Sequence, residues 1–220
     1  MKRVFLCGVA MAALAGSAVA ADIPRRVEAT KAPVAYVAPI YNWTGAYIGI
    51  NGGWAGGDAG MGAVGFDVDG GLAGATLGYN WQAGQAVFGL EGDINWTNIE
   101  GSGTCGALTC RVSNNWLGTV RGRLGYAIDR FMPYVTGGLA FGDVEASATG
   151  LSGSSNTQTG WTVGGGVEFA MPAPRWTAKL EYLYVDLGEF TCGAAACGAA
   201  AAGDVSFNSH IVRAGLNYRF

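Results

Sequence analysis

The sequence predicts an all-β protein, an eight-stranded antiparallel up-and-down transmembrane β-barrel. Three observations predict it. Over residues 43–220 apolar and polar side chains alternate with period two, the pattern of strands and not of helices. The alternation falls into eight stretches, and in each the apolar set holds no Asp, Glu, Lys or Arg. Tight and long connections follow one another in turn, as in a barrel with short turns at one rim and longer loops at the other.

Composition narrows the class further. Of the 220 residues 50% are apolar and only 13% charged, about half the charged share of a soluble globular domain. The 7 Trp, 9 Tyr and 9 Phe can fill a core or an interface, which argues against disorder. With 13 Lys plus Arg against 16 Asp plus Glu there is no basic surplus to neutralise nucleic-acid phosphates, so nucleic acid is not an expected partner. Beyond the N-terminus no run reaches 18 uncharged apolar residues, which excludes a bundle of membrane-spanning helices.

Residues 1–20 read as a signal peptide. Lys2 and Arg3 form the positive start, residues 4–14 the apolar core, and Ala18, Val19 and Ala20 the small-residue cleavage pattern. Cleavage removes two cations and no acid, which takes the formal charge from −3 to −5. Cys7 leaves with this segment and lies in the wrong place for a lipoprotein cysteine. Residues 21–42, with Pro24, Pro33 and Pro39 and no sustained period, read as an extended lead-in to a barrel over 43–220.

The apolar faces comprise every second residue of 46–50, 73–81, 88–96, 116–126, 135–141, 161–169, 176–184 and 212–220. Between its connections each strand has room for the roughly 10 residues that a tilted strand needs to cross a bilayer. Trp81, Trp96, Trp116, Tyr126, Trp161, Trp176 and Tyr184 lie near the limits of these sets, where they would form aromatic girdles at the two interfaces. Tight connections are expected at residues 83–85, 129–130 and 172–174, and long loops at 55–69, 97–113, 143–158 and 189–206.

The intervening positions hold every charge of the strands. Four acids (Glu91, Asp93, Glu168, Glu181) face five bases (Arg121, Arg123, Lys179, Arg213, Arg219), together with Tyr47, Asn51, Thr76, Asn80, Thr119, Thr162 and Asn217. A barrel of eight strands is filled by its own side chains, so these charges are expected to pair. Antiparallel register brings Glu181 near Arg213, and offers Glu91 or Asp93 to Arg121. The inward glycines, among them Gly49, Gly74, Gly78, Gly89, Gly125, Gly164, Gly166 and Gly215, are expected to make room for guanidinium groups and to let the sheet curve. The charges read as a packed plug, with a conduction path as the alternative.

In an exported chain Cys105 with Cys110 and Cys192 with Cys197 suggest two local disulfides that stiffen loop tips. A metal site is the weaker alternative, since the spacing is not that of zinc knuckles and no histidine lies near. Gly101, Gly103 and Gly106 match a dinucleotide-binding pattern but lead into no helix that could meet a pyrophosphate. Asp67, Asp69 and Gly70 resemble the start of a calcium loop that lacks its bidentate Glu. His210 has Ser209 on the opposite face, and Ser206, on its own face, lies too far along an extended strand for a direct hydrogen bond. The expectation is therefore no enzyme, no cofactor and no metal, with haem ligation by His210 as an alternative.

Four segments resemble the small OmpA-like, eight-stranded outer-membrane proteins of alphaproteobacteria, known as a porin family or as surface antigens. They are Trp43-Thr44-Gly45-Ala46-Tyr47-Ile48-Gly49, Gly118-Thr119-Val120-Arg121-Gly122-Arg123-Leu124-Gly125-Tyr126, Glu181-Tyr182-Leu183-Tyr184 and Val212-Arg213-Ala214-Gly215-Leu216-Asn217-Tyr218-Arg219-Phe220. The resemblance implies an outer-membrane location. It also implies that Tyr218 and Phe220 belong to a C-terminal signal read by the barrel assembly machinery. The loop cysteines, and the lack of a peptidoglycan-binding domain after Phe220, depart from the pattern. The function expected is a structural barrel that supports envelope integrity, contacts outer-membrane lipids and presents surface loops open to a ligand. A narrow porin for small solutes and a hemin-binding surface protein are the rivals that the resemblance suggests.

Overall fold

The computed structural model describes residues 41–61, 64–105, 108–148, 154–193 and 203–220. The expected signal peptide and most of the lead-in segment lie outside these residues. Eight strands follow in order: β1 (Gly45–Met61), β2 (Val64–Ala83), β3 (Ala86–Cys105), β4 (Leu108–Tyr126), β5 (Phe131–Ala148), β6 (Ser154–Ala170), β7 (Trp176–Cys192) and β8 (Gly203–Arg219). Each pairs antiparallel with the next, and β8 returns to β1 from Tyr47↔Arg219 to Met61↔Val205, which closes the barrel. No helix among the described residues is long and apolar enough to cross a membrane. The crossing elements are strands.

Three tight turns join the strands at one rim. Gly84 (φ 63°) lies between β2 and β3, Asp129 (φ 52°) between β4 and β5, and Arg175 (φ 71°) between β6 and β7. At the other rim the four stretches expected as long loops are mostly strand. The β1–β2 ladder runs to Met61↔Val64, β3–β4 to Cys105↔Leu108, β5–β6 to Ala146↔Ser154 and β7–β8 to Cys192↔Gly203. The ladder needs only backbone groups, and it continues through sequence too rich in Gly, Ser and Thr to show the alternation. A strand of 17–20 residues at about 3.3 Å per residue and about 40° of tilt stands roughly 43–50 Å tall, against an apolar band of about 25 Å. Much of every hairpin therefore projects beyond the hydrocarbon.

Polarity inverts where the projection begins. In the half nearer the turns the outward side chains are apolar and exposed, such as Ile50, Leu77, Leu90, Val120, Leu139 and Leu180, and the inward ones are polar. In the hairpin half the inward side chains form an apolar core that includes Ala55, Val68, Leu72, Ile99, Val112, Leu117, Val144, Leu187, Phe207 and Ile211. The outward side chains there are polar: Asp58, Asp67, Asp69, Glu100, Asp143, Glu145, Asp186, Glu189 and Asp204, with Arg111 as the cation among the described residues. The first half is built for lipid outside and the second for water outside.

Three irregularities mark that boundary. The register slips between Trp96 and Ile99 on β3–β4, between Ser113 and Leu117 on β4–β5, and between Asp186 and Glu189 on β7–β8. On β4 the slip changes the inward set from even to odd, so that both Asn114 and Leu117 are buried. The Asn114 amide replaces lost ladder bonds: its Nδ2 donates to Asp143 O (2.6 Å) and Trp116 O (3.1 Å), and its Oδ1 accepts from Thr97 Oγ1 (2.7 Å). At the third slip Asp186 Oδ1 accepts the Gly188 N–H (2.8 Å). Above the slips the β2–β3 ladder stops at Asp69↔Glu100 and the β6–β7 ladder at Trp161↔Asp186. The projecting part thus consists of two four-stranded arms, β7-β8-β1-β2 and β3-β4-β5-β6, joined across the apolar core.

The inversion makes the two halves respond oppositely to outward charge. Val120→Arg, at an exposed apolar position in the middle of the belt, is expected to cost about 2–4 kcal/mol of folded stability in liposomes. Thr104→Arg, outward on the projecting part of β3, should stay within about 0.5 kcal/mol of the parent in the same urea titration.

Candidate functional site

The lumen is where this sheet gathers buried charge. Strand alternation aims Glu91 and Asp93 from β3, Arg121 and Arg123 from β4, Glu168 from β6, Lys179 and Glu181 from β7 and Arg213 from β8 into it, and all are buried. Neighbouring strands supply some contacts. Glu181 faces Arg213, whose Nε donates to Glu181 Oε2 (2.7 Å), and Glu91 faces Arg121, whose Nη2 donates to Glu91 Oε1 (2.6 Å). Others reach across the bore. Arg213 grips Asp93 with both terminal nitrogens (3.0 Å each), Arg121 Nη1 donates to Glu181 (3.0 Å), and Lys179 Nζ sits 3.0 Å from both oxygens of Glu91.

A lower tier centres on Arg123. Its Nη2 donates to Glu168 Oε2 (2.6 Å), its Nη1 to Tyr47 Oη (3.0 Å), and its guanidinium lies 4.0 Å from the centre of the Tyr134 ring. The phenols turn their own protons to carboxylates, Tyr47 to Glu91 (2.7 Å) and Tyr134 to Glu181 (3.0 Å). Thr177 and Asn217 donate to Glu168, and Thr119 and Asn95 to Asp93. Four carboxylates and four cations are therefore mutually neutralised, with hydroxyl and amide groups on the remaining lone pairs, the condition under which buried charge is tolerated.

Arg219 departs from the expected ion pairing. It lies at the turn rim, where Nη1 donates to Asn42 O (2.9 Å) and Nη2 to Thr44 O (3.1 Å), with the guanidinium over the rings of Tyr41 (5.3 Å) and Trp43 (5.5 Å). No carboxylate pairs with it among the described residues, because the lumen acids all sit deeper. Trp43, which the period places in no strand, is fully buried with Val87, Ala127, Met132, Tyr134 and Ala170. Its N–H donates to Gln82 Oε1 (2.6 Å) and its indole N–H to Asp129 O (3.1 Å). The lumen is thus layered: an aromatic cap at the turn rim, the charged tiers, then the apolar core.

The inward glycines make room for more than guanidinium groups. A Cβ on Gly89 would lie 2.7 Å from Arg123 Cγ and one on Gly215 3.2 Å from Lys179 Cε, but one on Gly166 would meet Tyr134 Oη at 2.8 Å and one on Gly78 would collide with the Tyr47 ring. Two of the glycines seat phenols and two seat cations.

The aromatic candidates fall at two levels. Trp81, Tyr126 and Trp176 lie toward the turns, with Trp176 against Tyr218 (5.3 Å between centroids), and Trp96, Trp116, Trp161 and Tyr184 lie at the polarity boundary, with Trp161 against Tyr184 (5.3 Å). Trp54, 60% exposed, joins the boundary level. Alternation continued past Ile50 would have found it. Phe220 is exposed at the end of β8.

His210 points outward opposite Tyr184, 2.6 Å through Nδ1 from Tyr182 Oη, while Ser209 is buried on the other face. Cys110 is disulfide-bonded and buried within the apolar core, on strand β4 and not at a loop tip. The side chains of Cys105 and Cys192, and the whole of Cys197, lie outside the described residues. Gly101 and Gly103 are strand residues covered by Phe66. Asp67 and Asp69 are outward strand residues opposite Asp58 and Glu100.

Removing one cation from the charged tiers should be costly in proportion to what it leaves unpaired. Arg213→Met strands parts of both Asp93 and Glu181 and is expected to cost about 3–5 kcal/mol. Lys179→Met leaves Glu91 held by Arg121 and Tyr47 and should cost less. Arg213→Met with Glu181→Met restores equal numbers of charges and should recover much of the loss, as read from urea midpoints in detergent.

Residues 8–220 match the family described as outer membrane protein beta-barrel domain. The chain is 38% identical over 247 residues to a 31 kDa outer-membrane immunogenic protein of Brucella melitensis, with 100% of each covered. It is 39% identical over 150 residues to a 22 kDa outer membrane protein of Rhizobium leguminosarum bv. viciae, covering 68% of this chain and 67% of that one. The crystal structure of Neisserial surface protein A shares the fold, with a TM-score of 0.52 at 17% identity over 80% of this chain and 98% of that chain. An apolar belt on a closed ladder thus meets relatives that are themselves outer-membrane proteins, and the chain belongs to the outer membrane β-barrel family, with its belt in the outer membrane.

Proposed function

We propose that this protein is a structural barrel that supports the integrity of the envelope and displays its four projecting hairpins at the cell surface. The observation that carries the reading is the filled lumen. A solute would have to pass the Trp43 cap, the neutralised tiers of Glu91, Asp93, Glu168 and Glu181 with Arg121, Arg123, Lys179 and Arg213, and then a core of packed apolar side chains. Each layer resists ions for a different reason, and the apolar one offers no groups to replace a hydration shell. This favours the structural role over the narrow porin.

The belt supplies lipid contact, and the C-terminal aromatics Tyr218 and Phe220 the recognition by the assembly machinery. The protein acts without catalysis in this reading, since Ser209 and His210 lie on opposite faces of β8.

Planar bilayers seeded with the refolded mature chain are expected to show no steady conductance at neutral pH. Cells lacking the protein should become more sensitive to detergent, and Glu145→Cys, but not Gly84→Cys, should react with an impermeant maleimide on intact cells. Steady single-channel currents from the parent protein would make transport the function instead.

A further inference from the structure

The lipid-facing belt is not evenly thick. Across β7, β8, β1 and β2 the register sets small outward residues beside large ones: Ala178 pairs with Leu216, Leu216 with Ile50 and Ile50 with Ala75, while on the next rung Ala214 pairs with Gly52 and Gly52 with Ala73. Two shallow grooves result in the outer wall. One, of about 410 Å³, lies over Gly52, Ala178 and Ala214; the other, of about 310 Å³, reaches down past Ile48 to Trp176 and Tyr218. Ile50 and Leu216 line both, so they adjoin as one groove from the middle of the belt to the turn rim.

A cation stands at the foot of this groove. Arg175 is exposed in the β6–β7 turn, immediately before Trp176, and its Nη1 donates to Tyr218 Oη (3.4 Å). Tyr218 packs in turn on Trp176 and Phe220, with ring centroids 5.3 and 5.5 Å apart, which is the aromatic setting of a headgroup level. Among the described residues no carboxylate pairs with Arg175. Its φ of 71° is the left-handed conformation that glycine adopts without strain, as Gly84 does in the β2–β3 turn. What an arginine adds at this strained position is a guanidinium beside the groove.

The two ends of the belt differ in charge on this side of the barrel. At the hairpin boundary the outward charges are those of Asp69 and Asp186, which repel a phosphate, whereas the turn rim offers the Arg175 fork and a phenol. An apolar groove with a cation and a hydroxyl at one end matches an amphiphile whose anionic head sits at the rim and whose chain runs into the bilayer.

We propose that this groove binds one phospholipid, its phosphate held by Arg175 and the Tyr218 hydroxyl and one acyl chain laid past Ile50 and Leu216 onto Gly52 and Ala214. The inference deepens the lipid contact proposed for the belt, to which it gives one place and one headgroup chemistry.

The test titrates the whole refolded barrel in detergent with phosphatidylglycerol and counts bound lipid by native mass spectrometry, with heat-dependent gel mobility to verify that each variant is folded. One lipid is expected to bind saturably. Arg175→Gly, which suits the backbone, should weaken it about tenfold. Ala214→Trp, which fills the groove with an apolar side chain, should weaken it about fivefold. Arg130→Gln removes the exposed cation of the β4–β5 turn and should leave binding within about twofold of the parent. Equal losses in Arg175→Gly and Arg130→Gln would reduce the effect to charge at the rim, and full binding by Ala214→Trp would reduce it to a headgroup contact without a groove; either result overturns the proposal. Unsaturable uptake that is equal in all four proteins would also overturn it, while leaving general lipid contact of the belt intact. The conductance and labelling measurements do not involve the groove, so the structural reading would survive such a failure.

Discussion

Hydrocarbon offers no partner for a backbone N–H or C=O, and this constraint sets the rest of the structure. It demands closure, which the β1–β8 ladder provides. Closure at eight strands leaves a bore that only side chains can fill. Alternation then sends every second residue of every strand into that narrow space, and whatever is sent must be satisfied there. The charged tiers answer the demand with forks and phenols: Arg213 across the lumen to Asp93, Arg123 to Glu168, and the Tyr47 and Tyr134 hydroxyls on the remaining oxygens. The glycines on the inner wall are the steric counterpart of those long side chains.

Leaving the bilayer removes the constraint on the outer face and restores the usual one. The same strands then place polar groups outside and an apolar core inside, so one continuous ladder serves two solvents. The three register slips lie at the transition, where bulges raise local twist and reset which residue faces inward. Asn114 and Asp186 repair the interrupted hydrogen bonding with their own side chains.

Sequence reading recovers this unevenly, and for physical reasons. The belt and the charged interior are legible because lipid outside and charge inside contrast sharply at period two. Contacts between adjacent strands, such as Glu181 with Arg213, follow from register alone. Contacts across the bore do not, because Lys179 to Glu91 and Arg213 to Asp93 depend on the barrel's closure and shear. The strands of the projecting hairpins are hidden by their composition, and the parity change between Asn114 and Leu117 breaks the period where a reader would follow it. Trp43 and Arg219 escape for a third reason: each acts at the rim, where the alternating pattern has begun or ended, and each is held by carbonyl oxygens that carry no sequence signature.

The polarity inversion also fixes the barrel's vertical position and its direction. Sliding the wall toward its turn rim would draw Asp69, Glu100 and Asp186 into hydrocarbon, and sliding it toward the hairpin tips would bare Ile50, Leu90 and Leu139 to water. Turning the molecule over would require the whole acidic arm assembly to traverse the lipid, with every exposed carboxylate losing its hydration on the way. The inserted barrel is therefore trapped by its own wall: its orientation, once chosen during assembly, is permanent on any timescale shorter than unfolding.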